Sequence, residues 1–412
     1  MNKADSERLE SAFAQIGLSA VNTPKNADVV VLNSCVVRQS AEDKVSGMLT
    51  SVKPVKSDNP NRIIALMGCM VGPKTTELER KYPYVDVFMR PQQYDPLISL
   101  LESRMGIDAE GCIGTLTASP AITAYIPIIH GCDKFCSFCI IPYRRGREVS
   151  RSIEDIVREV TLLVERGVRE VTLLGQNVDS YGHDLAKSCD LGDLLEAVND
   201  VDRLERVRFL TSHPNDMSDK IIEAVNHLDK VCEHFNLPFQ AGDDEVLRNM
   251  RRGYNGREYR DLIYKIRDRI PSASIGTDLI VGFCGESDVQ FDRTLDMIRD
   301  IRFDKVHAAS YSTRAGTIAD RRLVDDVLPE VKKRRLTAVE DLQKEIQYSI
   351  NLGLIGESMK VLVEGEKKGK FKGRSRNDKL VYFKSEEDLA GRMVNITIDK
   401  ATAWSLQGTK TD

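Results

Sequence analysis

His130-Gly131-Cys132-Asp133-Lys134-Phe135-Cys136-Ser137-Phe138-Cys139 sets three thiols within eight residues, directly after the apolar, strand-like run 124–129. The spacing Cys-x3-Cys-x2-Cys is a metal signature with one ligand missing. A tetrahedral zinc site takes four ligands and a ferredoxin-type cluster takes four thiolates, and no fourth Cys stands nearby. Three thiolates on a 4Fe-4S cluster leave one iron open, and an open iron can chelate a small molecule. Free Cys also packs as a small hydrophobe. Three of them crowded into one polar turn behind a glycine fit a ligand set better than a core.

Outward from this turn, strands alternate with helices. Between about 118 and 314 the β-branched runs 125–129, 170–174, 206–210, 233–237, 273–280 and 305–311 read as strands. The segments 153–166, 191–198, 219–226, 257–270 and 288–301 read as the helices between them. Six strand-then-helix units imply an open, partial (β/α)6 barrel, whose chemistry belongs on the loops after the strands. Those loops carry the cysteine triad, Gln176 and Asn177, Thr211-Ser212-His213-Pro214, Pro238-Phe239-Gln240, and Ser312 with Arg314, while Asp278 lies near the end of the fifth strand. Singly, the amides read as groups satisfying loop backbone and His213 as a turn residue before proline. Together they make a polar ring that can orient a small polar cofactor.

The N-terminal third repeats the alternation on a smaller scale. Helices are expected at 5–16, 40–49, 74–81 and 94–103, and strands at 28–33, 62–67 and 85–89, which implies a small parallel sheet covered by helices. Cys35 and Cys69 fall at the ends of its first two strands, where ligands of such sheets gather. After a long charged helix at 328–351 come five short runs, 360–364, 371–374, 380–383, 393–398 and 404–407, which suggest a small β-barrel of the oligonucleotide-binding kind. The stretch between Glu366 and Arg376, around its second run, is basic: Lys367, Lys368, Lys370, Lys372, Arg374 and Arg376, with Phe371 interleaved, make an RNA-docking face credible. The fold class is therefore α/β with a small N-terminal parallel sheet domain (1–117), a central partial barrel (118–347) and a C-terminal small β-barrel (348–412).

The 59 basic and 63 acidic residues leave a net charge of -4, so any nucleic-acid contact must come from a local patch. No apolar run approaches bilayer length and the start does not read as a signal peptide, which predicts a cytoplasmic protein without membrane contact. Nine cysteines in such a chain argue for reduced thiols rather than a disulfide framework. Cys112, Cys189, Cys232 and Cys284 lack ligand spacing and read as structural.

The triad, with Phe138 before its last cysteine, resembles the radical S-adenosylmethionine (SAM) enzymes. The segments NSCVVRQSAEDKV and MGCM around Cys35 and Cys69 narrow the resemblance to the methylthiotransferases, as does a tail resembling the RNA-binding TRAM domain. GQNVDSYG, TSHP and LPFQ are similar to the branch acting on prenylated adenosine. The resemblance implies a transferase that replaces the hydrogen on carbon 2 of N6-dimethylallyladenosine, next to a tRNA anticodon, with a methylthio group. It implies Cys132, Cys136 and Cys139 as ligands of a SAM-binding 4Fe-4S cluster. Phe138, Gln176, Asn177, His213, Gln240 and Asp278 would lie about SAM, and Cys35 and Cys69 would be ligands of a second 4Fe-4S cluster. PYRRGRE, from Pro142, is similar to a stretch that lines the same cavity. The family's third auxiliary cysteine stands in Gly-Cys-Gln-Met-Asn, whereas this sequence starts at Met1-Asn2, so the second cluster is expected to assemble poorly. A tRNA partner, a reducing electron donor and a monomeric state complete the expectation. The alternatives are a ribosomal-protein aspartate methylthiotransferase and a non-catalytic iron-sulfur RNA-binding protein.

Overall fold

The computed structural model describes residues 1–35, 39–106 and 121–411. Two compact units emerge. One is the described part of Met1–Pro120 with His130–Phe135 and Cys139–Val149; the other is Ala121–Ile129, Cys136–Phe138 and the chain from Ser150 onward. The ten-residue cysteine stretch thus contributes to both, while Cys112 lies outside the described residues.

In the first unit, α1 (Asn2–Gln15), β1 (Val29–Ser34), α2 (Gln39–Asp58), β2 (Ile63–Gly68), α3 (Thr76–Lys81), β3 (Val87–Met89) and α4 (Asp95–Met105) follow one another. The strands pair in parallel in the order β1-β2-β3. β2 is buried along its whole length, as the central strand of a helix-covered parallel sheet must be. Its alternate residues serve opposite cores: Ile64 and Leu66 cluster with Leu49 and Val52 of α2, and Ile63, Ala65 and Met67 with Leu97 and Leu101 of α4. α2 runs well past the end expected at residue 49 and straight through Pro54. Proline in a helix interior costs about 3 kcal/mol. The buried Val52 and Val55, which extend the stripe of Val45 and Leu49, and the Lys56 ion pair to Asp86 at 2.8 Å offset it.

The second unit begins with β4 (Thr123–Pro127). The chain then carries β5 (Ile129–His130), α5 (Ile141–Arg145) and β6 (Val149–Ser150) before α6 (Ile153–Glu165), β7 (Glu170–Leu174), α7 (Leu191–Asn199), β8 (Arg206–Leu210), α8 (Asp219–His227) and β9 (His234–Asn236). It continues through α9 (Asp244–Asn249), α10 (Gly256–Arg269), β10 (Ser274–Val281), α11 (Asp288–Ile301), β11 (Lys305–Ser310), α12 (Ile318–Arg322) and α13 (Pro329–Leu352). Strands β4-β7-β8 and β9-β10-β11 pair in parallel in chain order, and an isolated bridge from Val207 to Val231 leads from β8 toward β9. This is the open six-stranded barrel expected. Side-chain caps on Ser152, Asp190, Asn255 and Ser287 start four of its helices. α9 was not legible, because six residues cannot display a helical period; Asp243 starts it by accepting the amides of Glu245 and Val246.

α13 is fixed in this unit through polar side chains. Arg335 reaches Glu286 at 2.9 Å, Gln343 donates to the Phe303 carbonyl, and Asn351 donates to the carbonyls of Thr402 and Ala403. Beyond it, β12 (Ser358–Lys367), β13 (Lys370–Ser375), β14 (Leu380–Phe383), β15 (Met393–Ala401) and β16 (Leu406–Thr411) close a barrel in the order β12-β13-β14-β16-β15. Trp404, expected in the last strand, lies in the turn before it and is 62% exposed. Phe371 does not serve as a surface aromatic. It is buried in the barrel core with its ring stacked on Phe383, centroids 5.7 Å apart, because the strand alternates and sends it to the face opposite the lysines.

Candidate iron-sulfur and cofactor site

In the second unit the loops at the carboxyl ends of β7 to β9 and Asp278 within β10 are joined by one hydrogen-bond network. Asn177 donates to Asp216 at 2.6 Å. Asp179 accepts from the Ser212 hydroxyl at 2.8 Å and from the His213 amide at 3.0 Å. The Ser212 amide donates to the Asn236 carbonyl, the Asn236 side chain to Asp278 at 3.4 Å, and the Gln240 amide to the Asp278 carbonyl at 3.0 Å. Thus Asn177, His213, Gln240 and Asp278 of the expected ring belong to one connected set. Gln176 is half-buried beside Asn177, and Phe138 is half-buried against the main core. Thr211 and Gln240 hold φ of 75° and 68°, a region that costs side-chain-bearing residues about 1–3 kcal/mol and is met mostly at functional loops. Gly175 is required because a Cβ there would stand 2.5 Å from Ile129. Asn177 Oδ1 is buried without a hydrogen-bond partner among the described residues, an acceptor open to a ligand's donor.

Cys136 is buried against this network. The Arg252 guanidinium donates from Nη1 to its sulfur at 3.2 Å, from Nη2 to the Pro238 carbonyl and from Nε to the Tyr254 hydroxyl, each at 3.0 Å. The Tyr254 ring meets His213 edge-on at 6.0 Å. Burial disfavours the charge on Arg252, but Tyr254 and Cys136 outweigh it and hold the group firmly protonated. The next residue, Ser137, is pinned to the end of α9 through Asn249 at 2.6 Å and Met250 at 3.0 Å. Sequence reasoning missed Arg252 and Tyr254, since Met-Arg-Arg-Gly-Tyr reads as a surface turn.

The first unit holds Cys132 and Cys139, both partly buried against the cluster formed by Ile140, Ile141, Met70 and Val71. The Cys132 amide donates to the Gly146 carbonyl, and Phe135 meets Tyr143 edge-on at 5.9 Å. Gly131, at φ 74°, lies so near Arg147 that a Cβ would fall 2.0 Å from its carbonyl oxygen. Of the PYRRGRE stretch, Arg147 forms an exposed pair with Asp133, whereas Arg145 is buried and donates from Nε to Cys69 at 3.2 Å. Asn2 and Asp5 flank the same guanidinium at 2.8 and 3.5 Å. Burial pushes the Cys69 thiol up, with Arg145 pulling the other way. Parallel register sets Ser34 against Gly68, so Cys35 and Cys69 leave adjacent strands at one level.

Among the described residues no three His, Cys, Asp or Glu side chains converge as they would on a single metal ion. An iron-sulfur cube takes its thiolates on separate corners and asks for no such point. The donor set agrees with a cube: the triad cysteines are free of disulfides, and the buried guanidinium on Cys136 calls for an anion, which a ligating thiolate is and a neutral thiol is not.

On the C-terminal barrel, register places Lys372 beside Tyr382 and Tyr382 beside Gln407 in a row across β13, β14 and β16. All three are partly exposed between the buried Phe371, Val381, Phe383 and Leu406. Lys370 reaches Gln407 at 3.2 Å. Arg374 and Arg376 are otherwise engaged, the former with Asp378 and Glu364 and the latter with Glu233 at 2.7 Å. Arg206 and Arg208, on one face of β8, donate at 2.6–2.7 Å to the carbonyls of Arg374, Lys360, Arg376 and Ser375.

A partial barrel with this thiol turn and this ring of strand-end polar groups defines a radical SAM enzyme. The Radical SAM superfamily model matches residues 126–298, the model called Uncharacterized protein family UPF0004 matches 1–90, and the TRAM domain model matches 354–411. The tRNA-2-methylthio-N(6)-dimethylallyladenosine synthase of Dehalococcoides mccartyi (strain ATCC BAA-2266 / KCTC 15142 / 195) is 46% identical over 99% of this chain and 95% of its own length. That of Roseiflexus sp. (strain RS-1) is 45% identical over 99% and 87%. Among solved structures, the cobalamin-dependent SAM radical enzyme OxsB is similar in fold, with a TM-score of 0.51 and 12% identity over 83% of this chain and 53% of that one. The chain belongs to the tRNA-2-methylthio-N(6)-dimethylallyladenosine synthase family.

Proposed function

We propose that this enzyme methylthiolates carbon 2 of N6-dimethylallyladenosine in tRNA. The observation that carries the reading is the junction of Cys136, through Arg252 and Tyr254, with the strand-end network of Asn177, His213, Gln240 and Asp278. An iron-sulfur cube with bound SAM supplies one-electron chemistry able to remove a carbon-bound hydrogen. Cys132, Cys136 and Cys139 would hold the cube. Asn177, with its open acceptor, would meet a donor on SAM, and Asp278, Gln240, Phe138 and His213 would be the other residues that hold the cofactor. Cys35 and Cys69 would be ligands of the second cluster.

The three functional segments follow 1–117, 118–347 and 348–412. In the last, Tyr382 stacks on an unpaired base while Lys372 and Lys370 meet phosphate, since every base offers a π-face and lysine a point charge. No helix among the described residues is long and apolar enough to cross a membrane, and we place the enzyme in the cytoplasm as a monomer served by a low-potential electron donor. Anaerobically reconstituted protein, given SAM, dithionite and a prenylated anticodon stem-loop, is expected to form 5'-deoxyadenosine and the methylthiolated nucleoside. Cys136→Ala is expected to abolish deoxyadenosine; continued production by that variant overturns the assignment.

A further inference from the structure

Arg252 is 5% exposed, and its partners are a hydroxyl, a carbonyl and the Cys136 sulfur; no carboxylate among the described residues lies within ion-pair distance. An arginine cannot shed its proton to escape burial. A buried guanidinium is stabilised by the oxygens it reaches and by any negative charge beside it, and the sulfur at 3.2 Å is a group at hand that becomes anionic when it ligates iron. The guanidinium fork is locked at three points, so the N–H aimed at sulfur does not depend on solvent or on a mobile side chain.

We propose that Arg252 is a positioning residue that acts through Cys136 to make the central cluster easier to reduce; this rests on the radical SAM reading above. Hydrogen bonds to the ligand sulfurs and the net charge around a cluster set its potential. Reduction adds one electron from the external donor and no proton, so a fixed positive charge beside the sulfur favours the reduced state. The low-dielectric surroundings strengthen that preference.

The test is a spectroelectrochemical titration, followed by electron paramagnetic resonance, of the full chain with Cys35→Ala and Cys69→Ala so that only the triad cluster reports. Into that background go Arg252→Gln, which keeps a donor but removes the charge, and Arg252→Lys, which keeps the charge but loses the fork. At the wild-type midpoint, Arg252→Gln is expected to lower the reduced-to-oxidised ratio at least tenfold, a negative shift of about 59 mV or more for a one-electron couple. Arg252→Lys is expected to lower it about threefold. An unchanged midpoint in Arg252→Gln at full iron content overturns the proposal. If Arg252→Gln fails to retain iron, the decision passes to Arg252→Lys, where an unchanged midpoint overturns it and a threefold fall supports it. Absence of any iron cube in the arginine-containing background would be the failure of the underlying reading, seen before either arginine variant is measured, and would take this proposal with it.

Discussion

Two buried arginines each donate a hydrogen bond to a cysteine sulfur at 3.2 Å, Arg145 to Cys69 in the first unit and Arg252 to Cys136 in the second. Their surroundings differ in one respect. Arg145 has Asp5 at 3.5 Å with both side chains almost fully buried, whereas Arg252 has no carboxylate. In the first unit the guanidinium has a carboxylate of its own within ion-pair distance. In the second it has none among the described residues, and the Cys136 sulfur beside it is a group that becomes negative on ligating iron. The same division recurs on the C-terminal barrel. Arg376 is spent on Glu233, while Lys372 forms no ion pair with the described residues. In both places a cation with a carboxylate of its own stands against one without.

The strongest way to break the comparison is to remove the built-in partner. Asp5→Asn leaves Arg145 buried and uncompensated, and breaking one side of a buried pair costs about 3–5 kcal/mol. Hydrogen exchange read by mass spectrometry is expected to show α1 and α5 losing protection while β7 and β8 keep theirs. If α1 and α5 exchange at the wild-type rate, Asp5 is not what balances Arg145 and the contrast with Arg252 dissolves.

Much of this was legible because it rests on local pattern. The apolar runs around 170–174 and 206–210 are β7 and β8 to the residue, and the polar residues after them had to fall on the barrel's carboxyl-end loops. The two arginine contacts were not legible. Arg251 and Arg252 are neighbours of the same type, yet one is exposed and the other buried, and only tertiary packing separates them. Two signals were available and went unread. Arg206 and Arg208 stand two apart in an otherwise apolar strand, which puts both charges on one face and requires a buried partner surface. The same period places Phe371 opposite Lys370 and Lys372, so it could not join them on one face.

A second way to sharpen the comparison uses a buried base that escapes the problem by staying neutral. His234 is buried with its Nδ1 2.8 Å from the Ser274 hydroxyl, and burial lowers its pKa to about 4, with Asp378 and Asp304 pulling it up and Arg208 and Lys305 pushing it down. The unfolded chain takes up this proton near the ordinary value of 6.5, so stability is full above that pH and declines as the solution is acidified toward 4. At pH 5 the loss amounts to about 2 kcal/mol. Asp378 is itself held below the usual carboxylate range and begins to matter only at lower pH. Denaturant titrations at pH 7 and pH 5 are expected to show that difference in the wild type and a flatter profile in His234→Asn. An equal slope in both proteins would move the acid sensitivity elsewhere.

The smallest expected effects are on the unpaired side of the C-terminal barrel. Tyr382→Ala removes a stacking surface and is expected to weaken binding of a single-stranded anticodon-loop RNA by about 1 kcal/mol, without altering the salt dependence. Lys372→Ala removes one phosphate contact. It is expected to reduce the slope of log affinity against log salt by about 0.7, the value for one charge on single-stranded nucleic acid. Arg376→Ala supplies the contrast, because its charge is consumed by Glu233: the slope should stay unchanged while the barrel's hold on the segment leading into β9 loosens. A slope change at Arg376 equal to that at Lys372 would mean that an internal partner does not take a cation out of RNA binding, and the distinction drawn between Arg145 and Arg252 would lose its parallel on the barrel.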